Sequence, residues 1–171
     1  MNGEEGSAMA QKTDTVYEEI QSPSPSLSAF MILIILFVFF NMSSPTELAI
    51  VLLIVTFLYV LFGFMTIHLT RKHLKIRYGF VGILNKSLPL SEIKSVRSIT
   101  YQVWKMGGWG MRGGFFENNI VGAITIGGNR GVLITNKTGQ KFFRYTIDSV
   151  IIGSKHPEKL KVALVKLLPI A

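Results

Sequence analysis

The chain has no cysteine among its 171 residues. That excludes disulfides, thiolate metal ligands and cysteine nucleophiles, and it fits a reducing compartment. Histidine is scarce as well. His68, His73 and His156 are the only three, and none stands at a metal-ligand spacing such as His-X-X-X-His. Acidic residues are thin over most of the chain: from Arg71 onward there are 17 Lys/Arg against 4 Asp/Glu, a balance of +13. Glu92, Glu117, Asp148 and Glu158 are scattered, so no pair of carboxylates is set for acid–base work. No Gly-Lys-Ser/Thr ends a phosphate loop, and no helix follows the glycines as a dinucleotide fingerprint requires. The expectation is a protein that is not an enzyme and carries no metal or cofactor.

Apolar residues are abundant and unevenly placed. They make up 49% of the chain, the mean hydropathy is +0.40, and they concentrate in residues 29–40 and 48–69. Residues 1–26 are polar and acidic, end in Ser22-Pro23-Ser24-Pro25-Ser26, and read as a disordered acidic tail. Residues 27–42 and 48–69 are uncharged apolar runs joined by Ser43-Ser44-Pro45-Thr46-Glu47. Their lengths predict a two-helix transmembrane hairpin over residues 27–69. The turn has no Lys or Arg, whereas Arg71, Lys72, Lys75 and Arg77 follow the second run as a membrane-proximal basic cluster. The positive-inside rule then gives a multi-pass cell-membrane protein with both termini in the cytoplasm. Asn-X-Ser/Thr triplets at Asn41, Asn85 and Asn136 matter only if they reach a secretory lumen.

Residues 70–171 have a different texture. Leu74 and Ile76 alternate with Lys75 and Arg77, which predicts a half-buried strand. Further strands are expected over 80–88, 93–103, 120–126, 131–135, 140–145 and 149–152. Their connectors at 127–130 and 136–139 are rich in hairpin residues. The chain closes with a helix begun by Pro157, with Glu158 in its first turn. Leu160, Ala163, Leu164, Leu167 and Leu168 give it one apolar face.

Several phrases together carry a family resemblance. They are Leu74-Lys75-Ile76-Arg77-Tyr78-Gly79-Phe80, Leu88-Pro89-Leu90-Ser91-Glu92-Ile93-Lys94-Ser95-Val96, Gly108-Trp109-Gly110-Met111-Arg112, Gly131-Val132-Leu133-Ile134, and Ile152-Gly153-Ser154 running on to Leu160. In this order, after a membrane hairpin, they resemble prokaryotic two-transmembrane proteins with a bacterial pleckstrin-homology-like domain, a largely uncharacterised subgroup. Residues 143–150 depart from that pattern as an intervening segment. The resemblance implies a transmembrane α-hairpin plus a mainly-β domain, a pleckstrin-homology-like barrel capped by a C-terminal helix. It implies no established ligand.

Residues 105–116 are the most unusual stretch, with Gly107, Gly108, Gly110, Gly113 and Gly114 among aromatics and cations. Three readings stand open. In the first the stretch is structural, with Trp109 packed in the barrel and Arg112 paired with a carboxylate. In the second, Trp104, Met106, Trp109, Met111, Phe115 and Phe116 form a rim at lipid headgroups, with Lys105 and Arg112 at phosphates. The third is a groove for a peptide or protein. The expected ligand- or membrane-contact set is Trp104, Lys105, Trp109, Met111, Arg112 and Phe115. The expected function is a membrane-anchored, cytosolic-face module binding lipid headgroups or a membrane-protein partner. The alternative is an accessory or assembly subunit of a membrane complex, contacting it through the hairpin. The basic balance without a recognition helix does not point to nucleic acid.

Overall fold

The computed structural model describes residues 14–23, 25–41, 44–79, 82, 84–103, 105, 108, 110–142 and 145–168. In chain order these form β1 (Thr15–Gln21), α1 (Pro25–Asn41), α2 (Pro45–Phe62), β2 (Met65–Thr70), β3 (His73–Tyr78) and β4 (Leu84–Pro89). A 3-10 turn (Leu90–Glu92) leads to β5 (Ile93–Thr100), β6 (Gly110–Phe116), β7 (Asn119–Thr125), β8 (Arg130–Phe142), β9 (Tyr145–Gly153) and α3 (Pro157–Leu167).

The first sheet has the order β1-β2-β3-β4, antiparallel throughout. The second has the order β5-β8-β9-β7-β6 and contains one parallel pair, β7 with β9. Strand periodicity explains the main core. Met65, Ile67, Leu69, Leu74 and Ile76 of the first sheet join Ile124, Val132, Ile134, Val150 and Ile152 of the second, and Leu160 and Leu164 of α3 complete it. The intervening residues Val121, Ala123, Leu133 and Ile151 form a smaller core with Tyr101, so the second sheet buries apolar residues of both parities. β6 and β7 are joined through Glu117-Asn118, whose φ values of 49° and 64° suit a turn that follows the twist of the strands.

The two apolar runs do not become two membrane spans. The second run is divided. α2 stops at Phe62, where the N–H of Gly63 donates to the Tyr59 carbonyl at 2.6 Å. Met65–Thr70 then becomes a strand whose Met65, Ile67 and Leu69 are fully buried. α1 has 17 residues and α2 has 18, about 26 and 27 Å at 1.5 Å per residue, below the ~30 Å of a hydrocarbon core. Among the described residues no helix is long and apolar enough to cross a membrane. The transmembrane hairpin, and the multi-pass location with cytoplasmic termini that rested on it, are therefore corrected.

The barrel assignment is corrected too: the fold is mainly β, with two sheets, a parallel pair and a short C-terminal helix. The boundaries 1–26 and 70–171 also shift. β1 lies within the stretch read as a disordered tail and pairs with β2, with Gln21 opposite Met65. The first sheet thus draws on residues before and after the helix pair.

α1 and α2 contact one another, and on each the less exposed residues fall on one stripe. These are Met31, Ile34, Ile35 and Val38 on α1, and Leu48, Val51, Val55 and Tyr59 on α2. The rest of both surfaces is apolar and open: Leu33, Phe37, Leu53 and Phe57 are each more than half exposed.

Candidate functional site

The described residues of the glycine-rich stretch take different surroundings. Trp104 and Trp109 lie outside the described residues. Lys105 is exposed, Phe115 is exposed, and Met111 is half-buried against the main core. Arg112 turns into the protein. Its guanidinium donates to the Gly110 carbonyl at 3.2 Å and to Thr125 Oγ1 at 3.3 Å. Burial draws it below the usual arginine range, while the nearby hydroxyls of Tyr78 and Tyr101 act in the opposite sense. Tyr78 Oη donates to the Thr125 carbonyl at 3.2 Å, whereas the Tyr101 hydroxyl is buried with no hydrogen-bond partner among the described residues.

This polar group makes stability sensitive to alkali. Burial pushes the ionisation of Tyr78 and Tyr101 up to about 12, and Tyr17 is pushed up further by burial and by Glu19. The fold therefore holds these protons more tightly than the unfolded chain, where tyrosine ionises near ~10. The resulting stabilisation is complete below about pH 10 and is lost as pH rises towards about 12. Melting temperatures recorded from pH 8 upward should fall over that window. Tyr101→Phe should leave the neutral-pH melt unchanged or raised, because it removes an unpartnered hydroxyl, and should flatten the alkaline decline. An unchanged alkaline limb in Tyr101→Phe would remove Tyr101 from the account.

The basic cluster is dispersed by the fold. β2 runs from the end of α2 to the turn at Arg71 and Lys72, and β3 returns. Arg71 and Lys72 thus sit at the far end of this strand pair, and Arg71 lies 3.6 Å from Asp14. Arg77 comes back beside the helix pair, opposite Thr66. Lys75 and Arg77 are exposed while Leu74 and Ile76 are buried, as their alternation predicts.

A different constellation lies at the foot of α1. β1 buries Glu19 and Gln21 and exposes Val16 and Ile20, the reverse of an ordinary half-buried strand. Glu19 accepts from Tyr17 Oη at 2.5 Å, Ser154 Oγ at 2.6 Å and the Lys155 N–H at 2.6 Å. Gln21 Nε2 donates to the Gly153 carbonyl at 2.7 Å. The strand before the helix pair is thereby pinned to the turn before α3. Beside this junction is a cleft of about 500 Å³, lined by the β1–α1 connection, the β7–β8 turn, Arg130, Ser154 and Lys155. The sequence gives no direct sign of it, since its parts come from three separate regions and the buried face of β1 is polar. A second cleft, of about 380 Å³, contains Arg97, Glu117 and Asp148. Arg97 and Glu117 are ion-paired there, so its charges largely answer one another. Among the described residues no group of three His, Cys, Asp or Glu could hold a metal ion.

No known family model, curated protein or solved structure matches the chain. The resemblance to pleckstrin-homology-like membrane proteins is accordingly not upheld. What stands is the architecture itself: a mainly-β body of two sheets, a short C-terminal helix, and an apolar helix pair inserted between two paired strands.

Proposed function

We propose that the protein is a non-enzymatic binding module held at a lipid surface by α1 and α2. The observation that carries this reading is their exposed apolar surface. Phe30, Leu33, Phe37 and Phe40 on α1, and Ile50, Leu53, Ile54 and Phe57 on α2, remain open after the helices have packed together. A large exposed apolar patch marks a site that another apolar phase covers. A helix docking in a protein groove would keep one polar face, whereas residues 27–40 of α1 contain no charged residue. A lipid surface offers an apolar phase that covers such residues. The mainly-β body then lies beside the lipid, with its basic residues near headgroups.

The test is flotation of the full chain with phosphatidylcholine vesicles. The wild type is expected to rise with the lipid. A variant carrying Leu33→Asp, Phe37→Asp, Leu53→Asp and Phe57→Asp should stay behind while keeping the circular dichroism of the β body. Each added carboxylate loses water when pressed against an apolar phase, which opposes the contact. A wild type that does not float, or a variant that floats equally well, would overturn the reading. The helix pair would then be assigned to a protein complex.

A further inference from the structure

We propose that the cleft at the foot of α1 binds the phosphate of an anionic lipid headgroup, with Arg130 and Lys155 as its counter-charges. This rests on the lipid-surface reading above and adds a ligand class and a place to it. Position is the first argument. Pro23 and Pro25 line the cleft, and Pro25 is the first residue of α1. Helices held at a lipid surface keep the start of α1, and with it the cleft, near the headgroups.

Charge is the second argument. Arg130 and Lys155 are both exposed cations on the cleft wall, and no described lining residue is acidic. Glu19, hydrogen-bonded to the lining residues Ser154 and Lys155, is buried, and its carboxylate accepts from the Tyr17 hydroxyl, the Ser154 hydroxyl and the Lys155 N–H. Two cations, with the Ser22 hydroxyl beside Lys155, suit a phosphate.

Preorganisation is the third. The Ser154 N–H donates to the Arg130 carbonyl at 3.1 Å, tying two walls together. Glu19 fixes the backbone at Lys155, and Lys155 Nζ reaches Ser22 Oγ at 3.4 Å. The third wall is the turn through Gly127 and Gly128. At Gly128, where φ is +75°, a side-chain carbon would meet no atom within 4 Å, so a ligand can approach the backbone closely. The volume of about 500 Å³ suits a glycerophosphate headgroup, since small-molecule sites run to roughly 300–1,000 Å³.

The experiment compares full-length protein on vesicles of phosphatidylcholine alone and of phosphatidylcholine mixed with phosphatidylglycerol, at low salt. The wild type should prefer the anionic vesicles. Arg130→Gln with Lys155→Gln should reduce that preference by roughly 30-fold, two cations' share, without changing the melting temperature. Lys94→Gln with Lys137→Gln removes the same charge from exposed sites at the other end of the β5–β8 pair, and should cost only a few-fold. Equal losses in the two variants would assign the preference to general surface charge and overturn the cleft. Equal wild-type affinity for both vesicles would overturn it too, while leaving the lipid-surface reading standing. Failure to bind either vesicle would remove both. Inorganic phosphate is the remaining arm. If it binds the lipid-free wild type but not Arg130→Gln with Lys155→Gln, while anionic vesicles gain no preference over phosphatidylcholine alone, the cleft takes free phosphate and the headgroup assignment falls.

Discussion

Leu164→Ala should lower the stability of the full chain by about 2–5 kcal/mol, the usual cost of truncating a fully buried leucine. Leu164 has 0% exposure and packs with Leu160 into the core shared by both sheets. The lost side chain leaves a cavity bordered by rigid strands, which cannot all move in to fill it. Against a domain stability of roughly 5–15 kcal/mol the effect is large. Val165 stands next to it on the same helix at 52% exposure, so Val165→Ala should change stability by no more than ~0.5 kcal/mol. Urea titrations of both variants, followed by circular dichroism, give the comparison. Equal midpoints would mean that α3 does not seal the core.

Glu19→Ala should be the most damaging change on the N-terminal side, at on the order of 3 kcal/mol. Hydrogen bonds to a charged acceptor contribute about 1.5–3 kcal/mol each, and truncation leaves buried donors unmatched. Here the stranded donors are the Tyr17 hydroxyl, the Ser154 hydroxyl and the Lys155 N–H. Ser154→Ala removes one donor and keeps the carboxylate, so about 1 kcal/mol is expected. Amide exchange across Thr15–Gln21 reports the local consequence: in Glu19→Ala these amides should exchange well before those of β3. Protection indistinguishable from wild type would show that backbone pairing with β2 alone secures the strand.

The residues that could be read in advance are those whose burial follows their own pattern. Leu160, Ala163, Leu164 and Leu167 mark the inner face of α3 and pack as that spacing requires, Pro157 occupies its first position, and Leu168, just past its end, packs on the core from extended backbone. Leu74 and Ile76 place β3 for the same reason. β1 escapes such reading because its inward residues are Tyr17, Glu19 and Gln21, so a rule that sends polar residues to solvent inverts the strand. β2 escapes because Met65, Ile67 and Leu69 continue the apolar composition of α2. Only pairing on both sides, with β1 and β3, separates strand from helix there. β6 was hidden by its glycines. Residues 136–139, composed like a turn, lie inside β8 as a register shift between Thr135 and Gln140.

The candidate site was less legible than the fold. The expected set gathered residues by nearness in sequence, and the fold sends Met111 to the core, Arg112 to a tyrosine cluster and Phe115 to solvent. Arg130 and Lys155 are far apart in sequence and meet only because the ends of β7, β8 and β9 lie together.

The pairing of Gln21 with Met65 makes the helix pair an oversized connection between two neighbouring strands. That has a consequence for the order of events as the chain is made. β1 is synthesised first, yet its neighbour emerges only after both helices, so the strand must wait without a partner. Closing so long a connection is entropically unfavourable when the intervening chain is loose, and much less so once α1 and α2 have folded back on each other. Whatever phase shelters the apolar helices therefore also brings the two strand ends together. β1 would thus join the first sheet, and the foot of α1 would form, only once the helices have found their surroundings.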